Sequence, residues 1–240
     1  MLYRRHVSPS VNRVFTGLAA TIAALGIVNC TSLMSGSRDG TLDATLSASE
    51  KGAVRASLSE VMMGASGTYI ARVLADRDST IERWPDHLAQ PLKVWIDSSA
   101  QCSGAQAGFP AAVREAFGEW AGIGIPLQFT YVSRAGDADV RVRWTDHLER
   151  KTGSTTWKTD RYGWITNSEI TLATHVGSGE PLDARGMRAI ALHEVGHALG
   201  LAHSDDGHDI MAPLVRVTDL SGQDRSTMKL LYSLPAGHVR

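Results

Sequence analysis

Four short stretches of the chain alternate apolar with polar residues or are rich in β-branched and aromatic side chains. They cover residues 92–96, 127–132, 140–144 and 164–174. Because successive side chains of a strand point to opposite faces, this period of two predicts four β-strands. The last stretch is polar in its middle, which favours a position at an edge of the sheet. Residues 145–162, rich in Gly, Ser and Thr, are predicted to form a loop.

Three other stretches have the period of a helix. A proline opens the first at about residues 111–121, where apolar residues recur at spacings of three and four. The second covers about residues 183–199 and is followed by Gly200, the residue type that best tolerates the left-handed conformation at helix ends. The third covers about residues 221–234. It begins with Ser221 as N-cap and has an aspartate three residues later.

The order of these elements predicts a small α+β domain with one mixed, twisted sheet and not a doubly wound sheet. We assign this domain to residues 67–240. Residues 31–66 are rich in Ser, Ala, Gly and Thr and lack aromatic side chains, which predicts a flexible linker or short pro-segment with a weak helix at about 47–63. A domain of about 170 residues buries enough surface to fold without disulfides.

The first thirty residues have the layout of an export signal. They contain three arginines and no acid, and a mostly apolar, uncharged run follows the last arginine. The run is short for a transmembrane helix, which needs about 20 residues. Cys30 ends it and resembles the lipidated cysteine of bacterial lipoproteins, although Asn29 stands where that family has Gly or Ala. We expect an exported protein, either secreted or anchored as a lipoprotein. The alternatives are cleavage near residues 35–37, an uncleaved anchor and a buried N-terminal helix.

Composition narrows the classes of function. The chain has 24 basic and 25 acidic residues. Removal of residues 1–30 leaves 21 basic and 25 acidic residues. Without an excess of positive charge, nucleic-acid binding is not expected. Two cysteines, Cys30 and Cys102, are too few for a disulfide scaffold or a cysteine-rich zinc site. We expect a monomer that contacts a membrane only through its N-terminal segment.

The second predicted helix ends in a group of metal-binding residue types. His193 and His197 are four residues apart, so both imidazoles leave the same face of the helix. Gly200 ends the helix and lets the chain bring His203 to the same ion. Glu194 is rotated by about 100° from the first ligand, so it can hold a water molecule instead of the metal. Three histidines with a fourth position for water form the ligand set of a catalytic zinc ion. The alternative is a buried helix with three core histidines, which is costly without a metal or other partners.

Residues 193–204 resemble the HExxHxxGxxH motif of the metzincin metalloproteases, and among these the matrixins. Residues 209–213, with the sequence Asp-Ile-Met-Ala-Pro, resemble the matrixin Met-turn. In that family the methionine, here Met211, forms an apolar floor under the zinc ion. The resemblance covers about residues 67–234 and is specific over residues 193–213.

Further residues extend this resemblance or depart from it. Residues 220–232 are similar to the matrixin C-terminal helix, in which Asp224 would support the backbone of the Met-turn. Gln223 replaces the neighbouring acid of the family, so it cannot form that acid's salt bridge to a freed N-terminal amine. No cysteine-switch motif precedes the domain, since Cys102 lies inside it.

Three other histidines receive a different interpretation. The spacing of His147 and His175 does not match the structural zinc site of animal matrixins, so we expect them on the surface. His208 lies close to the motif in sequence and is also predicted to be exposed. Assistance in catalysis is the alternative for His208.

The resemblance implies an endopeptidase that hydrolyses extended polypeptides with one zinc ion as cofactor. A zinc-activated water would attack the peptide bond, and Glu194 would act as general base and then as acid. Calcium binding is compatible with the resemblance but does not follow from the residues. The alternatives are a catalytically silent zinc-binding interaction module and a processing protease of narrow specificity.

The expected substrate contacts follow from the predicted edge strand and from the resemblance. An extended substrate would pair with residues 166–174 and contact Ile170 and Leu172 there. Leu214 and Val215, just after the Met-turn, resemble the wall of the family's S1′ pocket, although ordinary packing would explain them equally well.

Overall fold

The computed structural model describes residues 65–85, 90–98, 102–177 and 179–238. All of them belong to one compact unit. The predicted export signal, Cys30 and the predicted helix at 47–63 lie outside the described residues, as does all of the predicted linker except its last two residues. Within the described ranges, no helix combines the length and the apolar character that crossing a membrane requires.

A five-stranded sheet forms the centre of this unit. In spatial order its strands are β3 (Phe129–Tyr131), β2 (Leu92–Ile96), β4 (Val140–Thr145), β6 (Ile165–Ala173) and β5 (Gly153–Thr159). The first four strands are parallel, and β5 runs antiparallel to β6. A separate antiparallel pair joins β1 (Thr80–Ile81) to β7 (Gly237–His238). The sheet is therefore mixed, and the predicted α+β class is confirmed.

The position of β5 corrects two sequence predictions. Residues 153–159 lie in the predicted loop, yet they form the edge strand, and β6 lies inside the sheet between β4 and β5. The prediction that residues 164–174 form the edge was therefore wrong. An edge strand leaves polar side chains in water, so β5 needs no apolar alternation, and its threonines and tryptophan favour the extended backbone. Inside the sheet, the buried Ser168 of β6 is satisfied because its hydroxyl donates to the carbonyl oxygen of Thr156 at 3.0 Å.

The described residues form four α-helices. These are α1 (Ile70–Ala75), α2 (Phe109–Gly122), α3 (Ala184–Ala198) and α4 (Gly222–Ser233), and a 3-10 turn covers Ala135–Asp137. Asp183 caps α3 by accepting a hydrogen bond from the amide of Gly186 at 2.7 Å. At the start of α4, Ser221 and Asp224 form a reciprocal capping box. These caps satisfy amides that the first turn of a helix leaves without partners.

Helix α3 is fixed between the core and the turn that follows it. On α2, the fully buried Trp120 donates from its indole nitrogen to the carbonyl oxygen of Leu192 at 2.9 Å. Gly200 follows the helix with φ +113°, and a Cβ there would lie 3.1 Å from a methyl group of Leu231. A side chain at this position would be strained in backbone and in space. The predicted glycine stop is confirmed, and the chain after α3 turns back towards the helix.

Candidate active site

Three imidazoles converge at the end of α3. The Nε2 atom of His197 lies 3.1 Å from Nε2 of His193 and 3.2 Å from Nε2 of His203. Each of the three residues offers a ligand atom, and these atoms all lie within 4.8 Å of one another. Zinc–nitrogen bonds of about 2.0–2.1 Å in a tetrahedral arrangement separate two ligand nitrogens by about 3.3 Å. The three histidines therefore fit one zinc ion.

Backbone carbonyl groups orient two of these rings. Nδ1 of His193 lies 2.7 Å from the carbonyl oxygen of Ile210, and Nδ1 of His197 lies 2.9 Å from that of Leu201. A carbonyl oxygen only accepts, so Nδ1 carries the proton in both rings. In the neutral imidazole this leaves the Nε2 lone pair for a metal. The ring orientation thus favours metal binding before any ion is present.

Met211 packs against the helix segment that carries the first two histidines. A Cβ on Gly196 would overlap the sulfur atom of Met211 and lie 3.2 Å from its methyl carbon and 3.2 Å from the ring of Trp120. Gly196 sits in α3 between the first two histidines, so the missing side chain lets Met211 approach the helix backbone. Met211 is fully buried. This contact depends on a glycine in the helix, and the role of Met211 as an apolar floor under a zinc ion stays a prediction.

The carboxylate of Asp224 holds the backbone that carries Met211. It accepts hydrogen bonds from the amides of Ile210 at 2.8 Å and Met211 at 3.4 Å. It also accepts from the amide of Ser221 at 2.9 Å and from the hydroxyl of Tyr69 at 3.0 Å. Asp224 is fully buried. One carboxylate thus joins the Met-turn, the start of α4 and the residue that precedes α1.

A second buried carboxylate, that of Asp209, connects the last histidine to α4. The hydroxyl of Ser204 donates to it in a short hydrogen bond, and the hydroxyl of Ser221 donates to its other oxygen at 2.6 Å. The amide of Ser204 donates to the carbonyl oxygen of Met211 at 2.9 Å. The segment that carries His203 is therefore held against the Met-turn by side chains and by backbone.

Glu194 lies against the edge strand. The hydroxyl of Thr155 on β5 is 2.6 Å from Oε2 of Glu194 and 3.1 Å from its carbonyl oxygen. A Cβ on Gly153 would lie 2.6 Å from Cγ of Glu194, so a side chain there would displace the carboxylate. The other carboxylate oxygen, Oε1, lies against Gly153, where an added Cβ would overlap it. β5 thereby sets the orientation of Glu194.

A cleft of about 800 Å³ contains these groups. The three histidines and Glu194 line it, together with the first half of β5 and the segment after the Met-turn. Among the described strands, β5 pairs only with β6, so its other edge has unpaired backbone groups. The cleft therefore combines a metal-binding group, a carboxylate and a strand edge that can accept an extended chain.

Comparison with known proteins decides the family. The sequence model described as matrixin matches residues 91–233, more than half of the chain. The chain belongs to the matrixin family. A curated matrix metalloproteinase-C of Caenorhabditis elegans is 28% identical over an alignment of 154 residues, and the match covers 52% of this chain and 25% of the nematode protein. This matrixin thus spans about a quarter of that relative, and its family supports a zinc metalloendopeptidase in general.

Burial sets the protonation of the matrixin site. It lowers the pKa of His193 to about 4 and that of His197 to about 3, and it also lowers the pKa of His203. The three imidazoles are therefore neutral at pH 7 and able to bind a metal. Burial raises the pKa of Glu194 to about 7, against the opposing effects of the Thr155 hydrogen bond and of the Lys151 charge. This carboxyl group titrates near neutrality in the metal-free protein.

This raised pKa predicts how stability depends on pH. Glu194 has a pKa of about 7 when folded and 4.5 when exposed, so its ionisation destabilises the fold as pH rises through this range. At pH 8 the metal-free Glu194→Gln variant is expected to be more stable than wild type, since Gln carries no charge. Between pH 8 and about pH 4.5, the difference in free energy of unfolding between the variant and wild type should shrink by on the order of 3 kcal/mol. Urea unfolding in the presence of a chelator measures the difference, and a difference independent of pH would contradict the assignment.

Other predicted site residues fall into two groups. Leu214 and Val215 line the cleft, with Leu214 62% exposed, so both are placed to contact a substrate. Ile170 and Leu172 are 1% and 0% exposed on the inner strand β6. A substrate cannot reach them, and the prediction that they bind substrate is corrected.

Three other histidines of the described ranges, His147, His175 and His208, and Cys102 do not line this cleft. The side chain of His208 is 93% exposed, which confirms the surface prediction, and its Nδ1 lies 2.8 Å from Asp206. His147 is exposed and His175 half-buried, and their ring centroids are 4.8 Å apart. Cys102 is free within the described part of the chain.

Sequence reasoning missed several residues that shape the site. Thr155 and Gly153 lie in the polar stretch predicted as a loop, where no pattern distinguishes them. Asp209 gave a usable signal, because it opens the Met-turn segment and follows Ser204 by five residues. No sequence signal marks Tyr69, because its partner Asp224 is 155 residues away in the chain.

Proposed function

We propose that this matrixin is a zinc-dependent endopeptidase that cleaves extended polypeptides. The observation that supports this most directly is the convergence of three Nε2 atoms in the same cleft as Glu194 and the unpaired edge of β5. A purely structural metal site needs neither the carboxylate nor the strand edge. The silent interaction module therefore explains less of the cleft than the peptidase does.

The chain's own residues would divide the work as follows. His193, His197 and His203 would hold the ion, which supplies Lewis-acid chemistry by polarising a carbonyl group and making water more acidic. The unpaired edge of β5 would pair with the substrate backbone and hold the scissile bond over the histidines. Glu194 would accept a proton from the attacking water and pass it to the leaving amine.

Thr155 would act through Glu194. Its hydroxyl donates to Oε2, which keeps the carboxylate against β5. A hydrogen bond to an ionised acceptor is stronger than one between neutral groups, so it favours the proton-accepting form of Glu194. On this proposal, substrate pairing and proton transfer both depend on the first residues of β5.

Metal analysis tests the proposal together with a cleavage assay. Wild-type protein is expected to bind stoichiometric zinc and to cleave casein, with activity lost on chelation and restored by zinc. His203→Ala removes one of three ligands and is expected to abolish both zinc binding and casein cleavage. His208→Ala is the matched control, because that imidazole is exposed and pairs with Asp206 instead. Folded wild-type protein without zinc affinity would reject the proposal.

A further inference from the structure

The charged residues of the cleft are almost all of one sign. Arg150, Lys151 and Arg216 line it, and Glu194 is the only carboxylate among the described lining residues. The whole chain carries a net charge of −1, so this positive lining is a local property. We propose that the cleft selects polypeptides with acidic side chains close to the scissile bond. The inference rests on the proposed function, because it names the substrate class of the same site.

Within the described ranges, the three cations have no carboxylate partner at ion-pair distance. All three residues are exposed. Other arginines of the described chain do pair with carboxylates, namely Arg72, Arg77, Arg134, Arg143, Arg188 and Arg225. A cleft with charge of one sign attracts ligands of the opposite sign and concentrates them. The lining is therefore complementary to an acidic peptide.

The cations come from two separate segments that line the cleft. Arg150 and Lys151 immediately precede β5, the strand expected to pair with substrate, and Arg216 lies in the segment after the Met-turn. Lys151 is close enough to Glu194 for its charge to oppose the effect of burial on the pKa of that residue. An extended peptide advances about 3.3 Å per residue, so side chains within a few residues of the scissile bond reach both segments. Acidic residues on either side are thus within range.

The expected preference is moderate. An exposed ion pair contributes up to about a fivefold change in affinity, so two or three pairs give on the order of tenfold. Such pairs are screened by salt, since the Debye length falls to a few ångströms at high ionic strength. A preference that depends on charge should therefore weaken in about 0.5 M NaCl.

The test compares three peptides of equal length that share an apolar centre and carry Glu, Gln or Lys at the flanking positions. The zinc-loaded full chain is expected to cleave the Glu peptide with a kcat/KM about tenfold above that of the Gln peptide. Lys151→Gln combined with Arg216→Gln should bring this ratio close to one. Lys229→Gln combined with Arg161→Gln is the matched control. These exposed cations lie outside β5 and do not line the cleft, so the double variant should keep the preference for the Glu peptide.

A binding measurement separates this inference from the proposed function. Fluorescence anisotropy of the same peptides with the Glu194→Gln protein requires no turnover, and tighter binding of the Glu peptide supports the inference. Equal binding of the Glu and Gln peptides, or a preference for Lys, would overturn it even if cleavage occurs. Failure to cleave any peptide, with the binding preference intact, would instead reject the peptidase and retain the acidic ligand.

Discussion

Changing Glu194 to Gln is expected to slow peptide hydrolysis by about 10²–10⁴-fold while zinc content stays unchanged. Gln preserves the shape of the side chain and the hydrogen bond from Thr155, but it cannot accept a proton from water. The three imidazoles and their carbonyl partners are untouched by the substitution, so the metal should still bind. The measurement is kcat/KM on a quenched peptide, with the zinc content of the same preparation.

Glu115→Gln is the matched control for this loss of a carboxylate. Glu115 lies on α2 with its side chain 66% exposed and does not line the cleft, so activity should stay at the wild-type level. A Glu194→Gln protein that retains wild-type activity would disprove the general-base role. A loss of zinc in that variant would show instead that the carboxylate contributes to metal binding.

The largest effect on stability is expected from Asp224→Ala. The substitution leaves the amides of Ile210 and Ser221 and the hydroxyl of Tyr69 without their buried acceptor. Each unsatisfied buried donor costs about 1–3 kcal/mol, so the free energy of unfolding should fall by roughly 3–5 kcal/mol. A loss of this size is a large fraction of the total stability of a domain.

Urea denaturation of the metal-free protein measures this loss without a contribution from zinc. Asp219→Ala is the matched control, because its carboxylate is 73% exposed, and its substitution should leave the free energy of unfolding almost unchanged. Equal losses in the two variants would show that Asp224 does not hold the Met-turn in the way its contacts indicate.

Much of the fold was predictable because periodicity reports which face of an element is buried. The strands at residues 92–96 and 140–145 and the helices at 109–122, 184–198 and 222–233 all lie where the apolar pattern predicts them, within two residues at most boundaries. The metal-binding group was also predictable. Its three histidines lie within eleven residues, and helix geometry alone brings the first two together.

Edge position and long-range contacts were not predictable for physical reasons. An edge strand can be polar on its open side, so β5 has the composition of a loop, whereas an inner strand such as β6 tolerates polar residues if neighbours satisfy them. The prediction that Ile170 and Leu172 contact substrate was wrong because it depended on placing β6 at the edge of the sheet. Export through residues 1–30 and lipidation of Cys30 stay predictions.

The hydrogen bond between Thr155 and Glu194 makes the orientation of this carboxylate depend on a long-range contact. The metal ligands come from a single short segment, but the hydroxyl that orients the general base is contributed from 39 residues earlier. Local contacts form faster than distant ones, because closing a longer loop costs more entropy. A nascent chain can therefore gather its metal ligands before the sheet is complete, while an aligned base has to wait for the edge strand to dock. On the proposed function, proteolytic activity would therefore depend on a contact that only the completed sheet supplies.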